Sequence, residues 1–219
     1  MRDRGYVYGQ QKMVAQFNCT GDWAFYIEGD EIYHESDLEQ ITKTMEMYLN
    51  DPNVEALVFD FHHFYGNANS LLNSPGWYRS EARIIKNSIR SYAPDGLFWL
   101  VLDSNKRGRY PRAKKTGVTC YHYGWVRSED QMNLKSSKVQ KYWGGEPVII
   151  DYSRMDQSII QRFTGTHPEI IKDWLPKENG LYKTDPCYKP TFKQKKHQAI
   201  IKLEFLLGLE LSKKHYKLV

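Results

Sequence analysis

The chain has 219 residues, 41% of them apolar and 26% charged, with a formal net charge of +5. That length suits one α/β domain, or a smaller core with an appended helical piece, and can bury a sizeable interior. The first thirty residues hold no signal-peptide core, the longest apolar run (Leu97 to Leu102) is too short to span a bilayer, and Cys19, Cys120 and Cys187 are too scattered for a disulfide framework or a cysteine zinc site, so a cytoplasmic, reduced setting is expected.

From Lys183 onward nine basic residues face three acidic ones, so the whole charge excess sits in the tail. Two readings stay open: a solvated basic helix face, or a peripheral membrane contact with anionic headgroups at the inner face of the membrane. No recognised module accompanies the charge, so no nucleic acid is expected as a partner.

Along the chain, the aromatic-rich run Trp23 to Ile27 reads as a strand covered on both faces, ending in the acidic turn Glu28-Gly29-Asp30-Glu31. Ser36-Asp37-Leu38-Glu39 predicts a capping-box start, followed by a helix with Leu38, Ile41, Met45, Tyr48 and Leu49 on one face. Ala56 to Phe61 predicts a second buried strand, giving a strand, helix, strand order suited to a parallel sheet. Short strands are expected at Arg83 to Lys86 and Leu97 to Leu102. In Val118 to Trp125 the two-residue alternation places Val118, Cys120, His122 and Gly124 on one face and the bulky Thr119, Tyr121, Tyr123 and Trp125 on the other.

Ser128 to Gln131 predicts another capping box, opening a helix to about Tyr142, and Val148 to Tyr152 an edge strand. Thr166-His167-Pro168 reads as a helix entry, and Lys193 to Leu209 as a helix with an apolar docking stripe.

Glu28 and Asp30 flank a glycine, which lets the backbone approach a ligand closely, and carboxylates so placed suit a divalent metal, Mn²⁺ or Mg²⁺, that neutralises a departing diphosphate. The plain alternative is an acidic turn that complements the following helix dipole. His122 can join the same metal if its strand lies beside the first one, or serve as a hydrogen-bonded structural histidine. Of the adjacent His62 and His63, at most one can point at any given site. Trp77, Tyr78 and Trp125 can stack on sugar rings or simply pack, and Arg79, Arg83 or Arg127 can pair with phosphate oxygens. Asp95 or Glu81 is a candidate general base for an acceptor hydroxyl.

With these residues in view, the chain resembles bacterial family 2 glycosyltransferases of the GT-A class, particularly lipopolysaccharide- and capsule-associated relatives. The likeness rests on Gly21 to Tyr26 with Asp30-Glu31 and His34-Glu35, on Phe61 to Gly66, Gly76 to Arg79, Tyr121 to Arg127 and Phe163 to Pro168, in that order. The resemblance implies a nucleotide-sugar donor, a saccharide or lipid-linked acceptor, surface-polysaccharide synthesis, a metal held partly by an Asp-x-Asp motif, and inversion at the anomeric carbon. Asp30 stands as the last acid of that motif and Glu28 replaces its first aspartate. The implied architecture is a partial GT-A-like, Rossmann-like mixed sheet flanked by helices over residues 1–152, with a helical basic extension over 153–219. Because Met1 precedes Trp23 by only about twenty residues, most of the nucleotide-binding front of such an enzyme is expected to be missing. Rival readings are a non-catalytic carbohydrate-binding or scaffold remnant, and a metal-dependent hydrolase built on Asp30, Asp60 and His122.

Overall fold

A computed structural model describes residues 5–144, 146–177 and 180–219. The first half comprises α1 (Tyr6–Phe17), β1 (Trp23–Phe25), β2 (Glu31–Tyr33), α2 (Leu38–Tyr48), β3 (Ala56–Tyr65), β4 (Asn67–Leu72) and β5 (Ser80–Lys86). Then follow β6 (Ser91–Tyr92), β7 (Leu100–Leu102), β8 (Gly108–Arg109), β9 (Arg112–Trp125), α3 (Glu129–Trp143), β10 (Ile160–Arg162), α4 (Phe192–Leu207) and β11 (Lys217–Leu218). The fold is mixed α/β: eight strands make one mixed sheet, and β6, β7 and β8 form a small antiparallel sheet beside it.

β3 is the axis. It runs parallel to β9 on one side and antiparallel to β5 and then β4 on the other. Its apolar residues alternate between two cores, Ala56 and Val58 entering one with Trp99 and Tyr216, and Leu57, Phe59 and Phe61 entering the other with Val118 and Cys120. Both faces are covered, as a near-continuous apolar run requires. α2 lays Ile41, Met45 and Tyr48 on the second core, while Met13 of α1 packs on the first. At the β3–β4 turn Gly66 has φ +73°, and a Cβ there would lie 2.6 Å from the Tyr182 ring, so glycine is required twice over.

Several expectations change. The parallel rhythm expected for the first two strands does not hold: β3 runs parallel to β9, as does the short β11, whereas β2 joins the far side of β9 antiparallel and β1 pairs antiparallel with β5. The Ser36 capping box does not form: the His34 ring accepts from the Ser36 amide, and a 3₁₀ turn at Glu35–Asp37 leads into α2. The Ser128 box does form, with Gln131 completing it. No strand forms at Val148 to Tyr152, where side chains of α3 take the hydrogen bonds a neighbouring strand would supply: Ser136 Oγ bonds the Val148 amide and carbonyl, and Asn133 does the same for Ile150. The Thr166 hydroxyl meets His34 Nε2 at 3.0 Å instead of capping a helix, and a 3₁₀ segment, Glu169–Trp174, follows.

The C-terminal segment is not only helical. β10 lengthens the sheet beside β4 and β11 lies along β9, while Tyr216 meets Ser80 at 2.6 Å between hydroxyls. Residues 153–219 are therefore stitched into the same sheet as the rest.

One ion pair crosses this architecture. Arg83 of β5 donates from Nε to both Glu31 carboxylate oxygens, at 3.1 and 2.9 Å, and from Nη2 at 2.6 Å, with neither side chain exposed. β2 and β5 are not neighbours in the sheet, so this pair ties together strands that backbone bonds leave apart. Removing one partner of such a pair strands a charge in the interior. Arg83→Met is expected to cost about 3–5 kcal/mol of unfolding free energy in urea titrations; a loss under about 1 kcal/mol, the range of exposed pairs, would contradict the role given to it.

Candidate functional site

The turn between β1 and β2 carries three acids in four positions, and the fold separates them. Glu31 turns inward to Arg83. Glu28 faces the same guanidinium at 3.6 Å from the outer side, and its amide bonds Glu31 Oε2 at 3.3 Å, closing the turn on itself. Asp30 points the other way. Its carbonyl accepts from the Tyr123 amide at 2.8 Å, which moors it to β9, and its carboxylate lies 3.6 Å from His122 Nε2 and 3.1 Å from Lys135 Nζ.

The parallel register sets His63 of β3 opposite His122 of β9, with Nδ1 atoms 3.0 Å apart. His63 Nε2 lies 2.6 Å from the Tyr78 carbonyl, which can only accept, so that nitrogen carries the proton and Nδ1 is bare. His122 must then donate from Nδ1, leaving its Nε2 lone pair directed at Asp30. Burial, with the neighbouring imidazole, holds the His63 pKa down to about 3, and burial lowers that of His122 against the pull of Asp30, so both rings are neutral at neutral pH. Burial pushes the Asp30 carboxyl up, but the positive charge around it and the hydrogen bond from Lys135 outweigh it and hold it below its ordinary value. A carboxylate and a bare imidazole nitrogen thus face each other across a gap too wide for a hydrogen bond.

Gly124 keeps that gap open. A Cβ on it would lie 2.6 Å from His122 Nε2 and 2.8 Å from Asp30 Oδ2. The donor set of one carboxylate and one Nδ1-protonated histidine, with an outer partner fixing the ring, suits a divalent cation that keeps other positions for a ligand. Among the described residues no three His, Cys, Asp or Glu side chains converge as a ready-made metal group, so any cation here would have at most this pair from the protein. Glu28, expected as a third, is drawn away by Arg83.

Glu28 instead opens on a cleft of about 280 Å³ lined by Tyr8, Tyr26, Tyr78, Leu97, Val139 and Trp143. Burial raises its carboxyl above the ordinary value, against the opposing charge of Arg83. Behind the cleft the Lys12 ammonium donates to the carbonyls of Gly96 and Leu97 and sits 3.5 Å over the Trp99 ring; burial and then Arg83 hold its pKa well below usual.

The other expected residues are mostly engaged elsewhere. Arg83 is wholly enclosed by Glu31 and the Leu97 carbonyl and cannot meet a phosphate. Arg79 pairs with Glu204 at 2.8 Å. Glu81 is sealed inside, 2.6 Å from His215 Nδ1, so an acceptor hydroxyl has no route to it. Asp95 accepts from the Leu97 amide at 2.8 Å, shaping the loop at the cleft rim. Trp77 and Trp125 pack edge to face, and Trp125 also lines a second cleft, of about 360 Å³, together with Lys135 and Val139. Asp60 pairs with Lys115 at 2.6 Å, and among the described residues it forms no metal-ligand group with Asp30 and His122. His62 turns away from His63 and packs on Tyr121 and Phe163.

Sequence reasoning passed over Lys135, Tyr8 and Trp143, which nothing in their local pattern marks, and it set His63 aside, though its alternation with His62 shows that one of the two must face inward. The motif residues around His34 and Thr166 build a seam, with Glu35 accepting from the Glu169 amide and Tyr123 meeting His167 at 2.9 Å. No helix of the described residues is long and apolar enough to cross a membrane. Compared with known proteins, the chain matches no family model and no curated sequence.

The hydrogen-bond chain predicts one tautomer for each ring. Nitrogen NMR of a histidine-labelled sample should find Nδ1 protonated and Nε2 bare in His122, with the reverse in His63; a protonated Nε2 on His122 at neutral pH would refute the arrangement.

Proposed function

We propose that the chain is a glycosyltransferase of the GT-A class, moving a sugar from a nucleotide-sugar donor to a saccharide or lipid-linked acceptor in surface-polysaccharide synthesis. The observation that carries this reading is the convergence of the Asp30 carboxylate and the bare His122 Nε2; on the other side of the same turn, Glu28 opens on a cleft walled by aromatic rings. The five ordered motifs named above support it as a resemblance.

In this reading Asp30 and His122 hold the divalent cation, Mn²⁺ suiting the mixed oxygen and imidazole set better than Mg²⁺. When bound, the cation supplies neutralisation of the charge that develops on a leaving diphosphate. His63, steadied by the Tyr78 carbonyl, fixes the His122 ring as an outer partner. Lys135, partly exposed beside Asp30, is placed to meet phosphate oxygens. The rings of Tyr8, Tyr26, Tyr78 and Trp143 offer apolar faces to a sugar, and Glu28 its carboxylate to the sugar's hydroxyls. The raised affinity of Glu28 for a proton also suits it to take one from an acceptor hydroxyl as the new glycosidic bond forms and the diphosphate departs.

A second reading, carbohydrate binding without transfer, is favoured by the internal engagement of Glu81, Arg79 and Arg83, which leaves the expected base and phosphate partners occupied.

Calorimetry separates the two. Mn²⁺ is expected to bind wild type, to tighten with a nucleoside diphosphate, and to lose affinity about 10- to 100-fold in His63→Phe, which removes only the outer partner; Asp30→Asn should abolish the heat. Diphosphate binding that is indifferent to metal and to Asp30→Asn would overturn the proposal, and saccharide binding without donor turnover would favour the second reading.

A further inference from the structure

α4 is built inside out. The side chains that anchor it are polar: Gln194 accepts from the Tyr188 hydroxyl at 2.9 Å, His197 meets Ser74 at 3.2 Å, Gln198 bonds Asp156, and Glu204 pairs with Arg79. Ile201 is its apolar inward contact. The large apolar side chains point away from the body instead, with Phe205 88% and Leu206 77% exposed, and Leu203, Leu207, Leu209 and Leu211 exposed around them. Gly208, at φ +63°, ends the helix and leads directly into the turn that bears the last two. Scattered apolar residues on a surface mean little, but a contiguous group at one tip marks a contact surface.

Along α4 and the turn after it the exposed charges are of one sign. Lys193, Lys195, Lys196, Lys202 and Lys213 are all exposed, whereas the two acids of the segment are consumed within it, Glu204 by Arg79 and Glu210 by Lys214 at 3.7 Å. An apolar wedge edged by unpaired lysines is the chemistry of an anionic bilayer surface: the leucines and phenylalanine enter the boundary of the acyl chains, and lysine stems extend along it to leave their ammonium groups among the headgroups. A protein partner would require acidic residues matched to five separate lysines, while a lipid surface supplies negative charge at any spacing.

We propose that the outward face of α4 and the turn after it dock this protein on membranes containing anionic lipid. The polar pairs of α4 hold the helix to loops of the body, so docking needs no rearrangement of the fold. The proposal does not depend on the sugar chemistry.

Co-sedimentation of the full chain with phosphatidylcholine vesicles, with and without a phosphatidylglycerol fraction, tests it. Binding is expected only with the anionic lipid, to weaken with salt, and to fall about fivefold for each lysine removed in Lys195→Gln and Lys202→Gln. The Phe205→Ser/Leu206→Ser pair, which touches no buried group, should lower it by on the order of tenfold or more while leaving the circular dichroism unchanged. Failure to bind anionic vesicles, or binding to neutral ones that ignores the lysine changes, overturns the proposal. So does a concentration-dependent dimer in sedimentation equilibrium that the Phe205/Leu206 pair abolishes, since the occupant would then be a second copy.

Discussion

The guanidinium of Arg83 is the constraint on which the rest of the site depends. Three acids within four residues repel one another, and a turn that carries them needs an internal cation to hold a single shape. Arg83 takes both oxygens of Glu31 in a fork that a lysine could not match, and it also faces Glu28. Two of the three negative charges are thereby directed at one buried group, and Asp30 is left over. With its backbone moored to β9 and its neighbours held, the Asp30 carboxylate has one direction open, toward His122 and Lys135. A stability feature in the sheet interior thus determines the aim of the candidate site.

The same logic explains what could be read from the sequence. The two-residue alternation of β9 put His122 on the face with the smaller side chains, and Gly124 does leave the gap beside its ring. The apolar runs of β1 and β3, α2 and the capping box of α3 were all legible because each depends on neighbours close in the chain. The choice between Glu28 and Glu31 as inward acid was not, since it is decided by an arginine about fifty residues away. The burial of Glu81 against His215 likewise depends on a C-terminal strand returning along β9, which no local pattern announces. Lys135 was invisible for a related reason: on a solvated helix its lysine looks like any other until the helix is laid beside Asp30.

The tail shows the limits of reading amphipathicity from a stripe. The apolar positions of α4 do fall at helical spacing, but the helix is turned so that its glutamines, a histidine and a glutamate face the protein and the leucines face out. Partners fixed elsewhere, Arg79, Ser74 and Asp156, impose that rotation, since a half-buried arginine or a buried aspartate left without a counterpart would cost more than an exposed leucine.

The claim that everything else serves is that His122 Nε2 and Asp30 are aimed at a common cation. Pulsed electron paramagnetic resonance of the Mn²⁺-loaded protein addresses it most directly, because a coordinated imidazole nitrogen modulates the spin echo. The account predicts nitrogen modulation in wild type and in His62→Gln, and its disappearance in His122→Gln. Bound Mn²⁺ without that modulation, or modulation that survives His122→Gln, would contradict it.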